Sequence, residues 1–222
     1  MKQRIITALI LAAVAVALLA LGGVVLAAAV VAIICFAVYE EYGALSTAGH
    51  HPLAWPTWAG LALSVPLLAL GGAKLLIPVA IGVSLLTIGC IVFRREPQLE
   101  DILYSLLPFV SVVMPGMAML ALVNIEPKSV QLTYFCLMIA IPCVGDIFAL
   151  YVGSAMKGPK LCPPVSPNKT ISGAVGGLVG SLLSSLLVGL IAWALAVQSR
   201  AVLPEWWHYV LLGLIGGVAG VK

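Results

Sequence analysis

Residues 5–39 read IITALILAAVAVALLALGGVVLAAAVVAIICFAVY, with no charge between Arg4 and Glu40. A helix needs about 20 mostly apolar residues to cross the hydrocarbon core of a bilayer. This stretch holds two such runs, Ile5–Leu21 and Val24–Tyr39, separated by Gly22-Gly23. Lys2 and Arg4 ahead of the first run would also suit a secretory signal. No clean cleavage site follows and a second apolar run begins at once, so the reading is a helical hairpin. Outward from it the pattern repeats at 53–72, 75–93, 102–123, 129–153, 173–198 and 204–221. The expectation is an all-α polytopic membrane protein with about eight transmembrane helices. Gly71-Gly72 and the NIEPK stretch at 124–128 are short turns, and Pro108, Pro115 and Pro142 should kink or break their helices.

Composition agrees. The chain is 63% hydrophobic and 9% charged, against about 45–50% and 25% in soluble domains. Its 11 basic and 8 acidic residues cannot solvate a surface of this size, which excludes a soluble enzyme, and the apolar content excludes disorder. A net charge of +3 makes no case for nucleic acid. The placement of the charges says more. With the N-terminus in the cytoplasm, the cytoplasmic segments hold Lys2, Arg4, Arg94, Arg95, Lys157, Lys160, Lys169 and Lys222. The other side holds Lys74, Lys128 and Arg200. That bias satisfies the positive-inside rule. The five cysteines are odd in number, mostly inside apolar runs and without a CxxC pair. They read as packing residues rather than as disulfides or a zinc site.

Chemistry has few places to reside. The two aspartates are Asp101, near a loop and beside Glu100, and Asp146, in IPCVGDIFALYVG. An unpaired carboxylate in hydrocarbon costs at least ~2.5–3.5 kcal/mol, so Asp146 must face a polar cavity, a cation or a lysine. A helix–helix ion pair is the structural alternative. The segment SAMKGPKLCPPVSPNKTIS at 154–172 follows, with three lysines and no acid. It runs into GAVGGLVG, the start of the seventh span. Ser166, Lys169 and Thr170 thus stand ahead of a helix N-terminus, whose free N–H groups suit phosphate. An ordinary basic loop would look similar, but here it abuts a buried acid, and Mg²⁺ favours a carboxylate or two together with substrate phosphates. A P-loop is excluded, because Pro163 and Asn168 stand where it needs glycine. Trp55, Trp58, Trp206 and Trp207 suit an interfacial belt. His50-His51 and His208 read as interfacial polarity. Gly173xxxGly177, Gly176xxxGly180, Gly213xxxGly217 and Gly216xxxGly220 permit close helix packing, and Gly176 and Gly177 would also let a ligand approach the backbone. Glu40 and Glu41 end the second span, either as interface polarity or turned toward a site.

The run Asp146–Gly177 resembles the phosphatidate cytidylyltransferases, the CDP-diacylglycerol synthases. It shares the Asp, Ala149 three residues on, Gly153 seven on, a basic loop and a glycine-rich helix. SPNKT at 166–170 is the most specific element, and MKQRIITALIL and YEEYG resemble the family's N-terminus and second span. The chain departs from the family at Leu150, Ser154 and Ser172, where Tyr, Arg and an acid are usual. It also lacks the family's C-terminal signature of a Gly-Asp, a Lys-Arg pair and a His-Gly-Gly…Asp-Arg stretch.

The resemblance implies one multi-pass domain over 1–222 in the inner (plasma) membrane, with N-terminal helices in 1–123, catalytic-type helices in 124–222 and an active site facing the cytoplasm. The implied reaction is attack by phosphatidic acid on the α-phosphorus of CTP, giving CDP-diacylglycerol and pyrophosphate. Asp146 would hold Mg²⁺. Lys157, Lys160, Ser166, Lys169, Thr170, Gly176 and Gly177 would bind substrate phosphate, with Lys169 also catalytic. A homodimer is left open, as are the acyl-chain preference and the choice of CTP or dCTP. The missing signature implies a form lacking part of the active site, with little turnover. The alternatives are a CTP-dependent lipid-alcohol kinase, an ion-coupled transporter using Asp146, or an inert fragment.

Overall fold

The computed structural model describes residues 2–94, 97–163, 166–195 and 203–220. Contacts divide the chain into two compact units, Met1–Asn124 and Ile125–Lys222. Both are helical, apart from one small β-hairpin.

The first unit contains α1 (Lys2–Leu21), α2 (Gly23–Thr47), α3 (Trp55–Gly71), α4 (Leu76–Val92), α5 (Leu99–Pro108) and α6 (Met114–Leu122). A single π-helical turn, Phe109–Val113, joins α5 to α6. Prolines bracket it: Pro108 ends α5 and Pro115 lies in the first turn of α6, and each removes a backbone donor from the ladder. The expected disruption at Pro108 and Pro115 is therefore a register change inside one continuous rod. Pro142 lies within an unbroken helix. Helix α2 runs past Tyr39 to Thr47, so Glu40 and Glu41 sit inside it. Its buried stripe, Leu26, Val30, Ile34, Val38 and Tyr42, repeats every fourth residue, the period of one helix face. The opposite faces carry exposed Val24, Phe36 and Tyr39, as expected of a helix whose solvent is hydrocarbon. The Tyr42 hydroxyl lies 2.8 Å from both Thr57 Oγ1 and the Ser105 carbonyl, tying α2, α3 and α5 at one level. The Ser111 hydroxyl lies 2.8–2.9 Å from the Glu41 carboxylate oxygens, and His50 stacks on Tyr104 with ring centroids 3.7 Å apart.

The second unit contains α7 (Lys128–Met156), β1 (Lys160–Cys162), β2 (Ser166–Thr170), α8 (Ile171–Leu195) and α9 (Trp206–Gly220). Glycine sets how closely these helices approach. A Cβ on Gly173 would lie 2.9 Å from the Ala149 carbonyl oxygen, and one on Gly177 would lie 3.3 Å from that of Gly145. On α9, a Cβ on Gly217 would lie 3.0 Å from Leu178 Cα. Helices whose backbones nearly touch need small residues at the seam, as the GxxxG spacings suggest. Gly220 is the exception, with nothing within 4 Å.

The segment expected as a loop over 154–172 is shorter and more ordered. Residues 154–156 complete α7, Ile171 already belongs to α8, and β1 and β2 pair antiparallel between them, with Lys160 opposite Thr170. The polar, proline-rich composition hid a strand pairing that spans only a few residues.

Among the described residues five helical segments are long and apolar enough to cross a membrane: Gly23–Thr47, Ala73–Val92, Leu99–Leu122, Lys128–Met156 and Ile171–Leu195. Helices α3 and α9 are apolar but shorter, and α1 occupies the first expected span. Arg95, Arg200 and Lys222, which entered the charge count, lie outside the described residues, as do Pro164 and Val165.

Candidate active site

Helix α7 builds one wall of a cavity of about 750 Å³ that lies wholly within the second unit. Its lining residues on this helix are Pro142, Gly145, Asp146, Ala149, Leu150, Gly153, Ser154 and, at the helix cap, Lys157. The alternating steps of three and one keep them on a single face. The opposing wall comes from Thr170, Gly173, Ala174, Gly177 and Ser181 around α8, and the third from Gly216, Gly217 and Gly220 of α9. The hairpin contributes Lys160, Leu161, Asn168 and Lys169.

The fold therefore brings Asp146, Lys157, Lys160, Lys169, Thr170 and Gly177 onto one cavity. Asp146 and the three lysines are all exposed to it or to its surroundings. The ion pair found among the described residues is Arg94–Asp101, at 3.5 Å in the first unit. Asp146 forms none among the described residues. Four charges, three of them positive, thus line a space large enough for a nucleotide-sized anion.

Two expected residues stand apart from this wall. Ser166, half-buried at the start of β2, does not line the cavity, and Gly176 faces Val152, whose side chain fills the space a Cβ would take, at 2.6 Å. Gly176 thus serves the α7–α8 seam. Thr170 has a second duty: its Oγ1 accepts the Gly173 N–H at 3.1 Å and lies 3.2 Å from Ser172 Oγ. It is the N-cap of α8, satisfying one of the donors that would otherwise be free at that end. Ser154, Asn168 and Ser181 line the cavity without having been assigned a site role from the sequence. The signal for Ser154 was its spacing of eight from Asp146, two turns along the same face. Asn168 depended on the hairpin and Ser181 on the α7–α8 register, neither of which is local. Ser181 Oγ donates to the Ile141 carbonyl at 3.1 Å, so its hydroxyl is engaged in the wall. Glu41 is held by Ser111 in the first unit.

Among the described residues no group of three or more His, Cys, Asp or Glu side chains could form a metal cage. Magnesium does not require one. It dehydrates reluctantly and is commonly bound by one or two carboxylates plus substrate phosphates. A single carboxylate facing a lysine-lined anion site fits an ion that arrives with its phosphate ligand.

Residues 2–222 match the cytidylyltransferase family. The chain belongs to that family, which includes the CDP-diacylglycerol synthases, and its activity is of the cytidylyltransferase type. No curated protein and no solved structure matches it.

Proposed function

We propose that this chain is a CTP:phosphatidate cytidylyltransferase of the cell membrane, with its cavity on the cytoplasmic side, making CDP-diacylglycerol and pyrophosphate. The observation that supports this most directly is the meeting of Asp146 with Lys157, Lys160 and Lys169 on one cavity in a cytidylyltransferase. Both reactants are anions, so charge neutralisation in a partly dry site dominates the barrier. The lysines hold and orient the phosphates. A phosphate monoester is already nucleophilic at neutral pH, so no residue needs to act as general base. Asp146 is the residue to hold Mg²⁺, which when bound would screen phosphate charge and polarise the phosphoryl oxygens. The glycine- and alanine-lined wall lets a bulky amphiphile lie against the helices at membrane depth.

The test supplies the protein in membranes with labelled CTP, phosphatidic acid and Mg²⁺. The expected products are CDP-diacylglycerol and pyrophosphate, and binding of CTP with little turnover would instead match the incomplete site that the missing signature implies. Formation of CDP and a phosphorylated lipid from a lipid alcohol would favour the kinase reading instead. Family membership already speaks for nucleotidyl transfer over ion transport.

A further inference from the structure

Helix α7 is capped by Lys157 with φ 43° and ψ 41°, and among the described residues it is the one non-glycine with positive φ. Such a cap is usually glycine, because a side chain in this region crowds its own backbone. The glycine that follows is committed elsewhere: a Cβ on Gly158 would lie 3.0 Å from Ser172 Oγ and 3.3 Å from Ser172 Cβ. Lysine therefore occupies a position where glycine would relax the chain. An ordinary interfacial lysine needs no such backbone, and strain of this kind persists where function holds it.

Lys157 lines the cavity with Lys160 and Lys169, and Asp146 lies on the same helix face eleven residues earlier. That separation is about 16 Å along the axis, too far for the two side chains to meet. The cavity is thus divided lengthwise, with its carboxylate at one level and its ammonium groups at the helix end. A nucleoside triphosphate with its α-phosphate at the Asp146 level extends its other phosphates toward the lysines.

We propose that Lys157, with Lys160 and Lys169, forms the subsite for the β- and γ-phosphates, and so for the leaving pyrophosphate, and that the left-handed backbone at Lys157 is retained for this contact. The bond from the α-phosphorus to the bridging oxygen breaks as the acceptor oxygen bonds to that phosphorus. The electron pair leaves on the pyrophosphate oxygen, where the ammonium charges stabilise it. The identity of the nucleotide rests on the function proposed above, whereas capture of free pyrophosphate does not require the lipid acceptor.

The experiment compares the full chain with Lys157→Gly and Lys157→Asn, the second because asparagine tolerates this backbone. Pyrophosphate binding is followed by calorimetry on purified protein with Mg²⁺, and unfolding temperature is measured alongside. Turnover is assayed with CTP and phosphatidic acid varied separately. Lys157→Gly should unfold at a higher temperature, and both variants should bind pyrophosphate at least tenfold more weakly. In turnover the KM for CTP should rise about tenfold while that for phosphatidic acid stays within twofold. Failure of the unsubstituted chain to bind pyrophosphate, unchanged binding in both variants, or a rise confined to the phosphatidic acid KM would overturn the subsite. A fall in unfolding temperature for Lys157→Gly would overturn the role given to strain. Loss of pyrophosphate binding without any CDP-diacylglycerol synthesis by the parent would uphold the subsite and sink the reaction proposed for it.

Discussion

Asp146 and Lys169 are the residues whose removal separates a functional cavity from a merely polar one. Asp146→Asn keeps the side chain's shape and removes the charge that would hold a metal. Losing several kcal/mol of transition-state stabilisation corresponds to a rate lower by roughly two to four orders of magnitude. Insertion and folding should survive, since a neutral amide is less costly than a carboxylate in the membrane. Near-normal CDP-diacylglycerol synthesis by this variant, at matched protein level, would leave Asp146 a structural residue. Lys169→Met should behave similarly, with the loss appearing first in the KM for a phosphate-bearing substrate. Asp146 was legible from composition alone, because an unpaired acid inside an apolar run demands an explanation. Ser154 was legible only from helical spacing. Asn168 was not, because its presence on the cavity depends on a hairpin formed from a proline-rich segment.

At the scale of the element, two predictions follow from how α8 begins and how its flank is packed. Thr170 caps the helix through Gly173, so Thr170→Ala should lower stability by about 1 kcal/mol. Thermal unfolding in detergent would detect this, and Thr170→Ser should restore most of the loss. Glycines on the α7–α8–α9 seams make a sharper contrast. At Gly173 a Cβ would meet the Ala149 carbonyl oxygen at 2.9 Å, whereas at Gly220 nothing lies within 4 Å. Gly173→Val should therefore destabilise by roughly 1–3 kcal/mol or more through overpacking, while Gly220→Ala should leave the unfolding temperature unchanged within error. Equal sensitivity at the two sites would mean that these helices are not held at the separation seen here. The GxxxG spacings announced the seams, but they could not tell Gly176, which faces Val152 and does not line the cavity, from Gly177, which lies at the seam and also lines the cavity. That distinction is one of helix rotation, and three-residue spacing does not encode it.

For the whole molecule the prediction concerns sidedness. Were the chain to cross eight times from a cytoplasmic N-terminus, the α4–α5 connection and the β-hairpin would lie on one side and the α6–α7 turn on the other. In a cysteine-free background, Gln98→Cys and Pro159→Cys should resist an impermeant thiol reagent added outside intact cells, and Glu126→Cys should react. Labelling of Pro159→Cys from outside would overturn both the span count and the cytoplasmic cavity. Helices α3 and α9 are the elements on which this count depends, since both are apolar but shorter than a full crossing.

The helical character and its fit to a membrane were legible in the sequence alone, because unbroken apolar runs of about 20 residues in a chain with so few charges suit helices in hydrocarbon, where each helix satisfies its own backbone. The same scarcity of charge singled out Asp146 and the lysines around it, since each polar group retained in such a chain carries a cost. Tertiary structure decided how they are grouped: α7, α8 and α9 meet along glycine seams, the hairpin between α7 and α8 adds Lys160 and Lys169 to their cavity, and Lys157 takes a left-handed cap. These are matters of rotation, register and close approach between segments distant in sequence, and no local pattern of residues determines them.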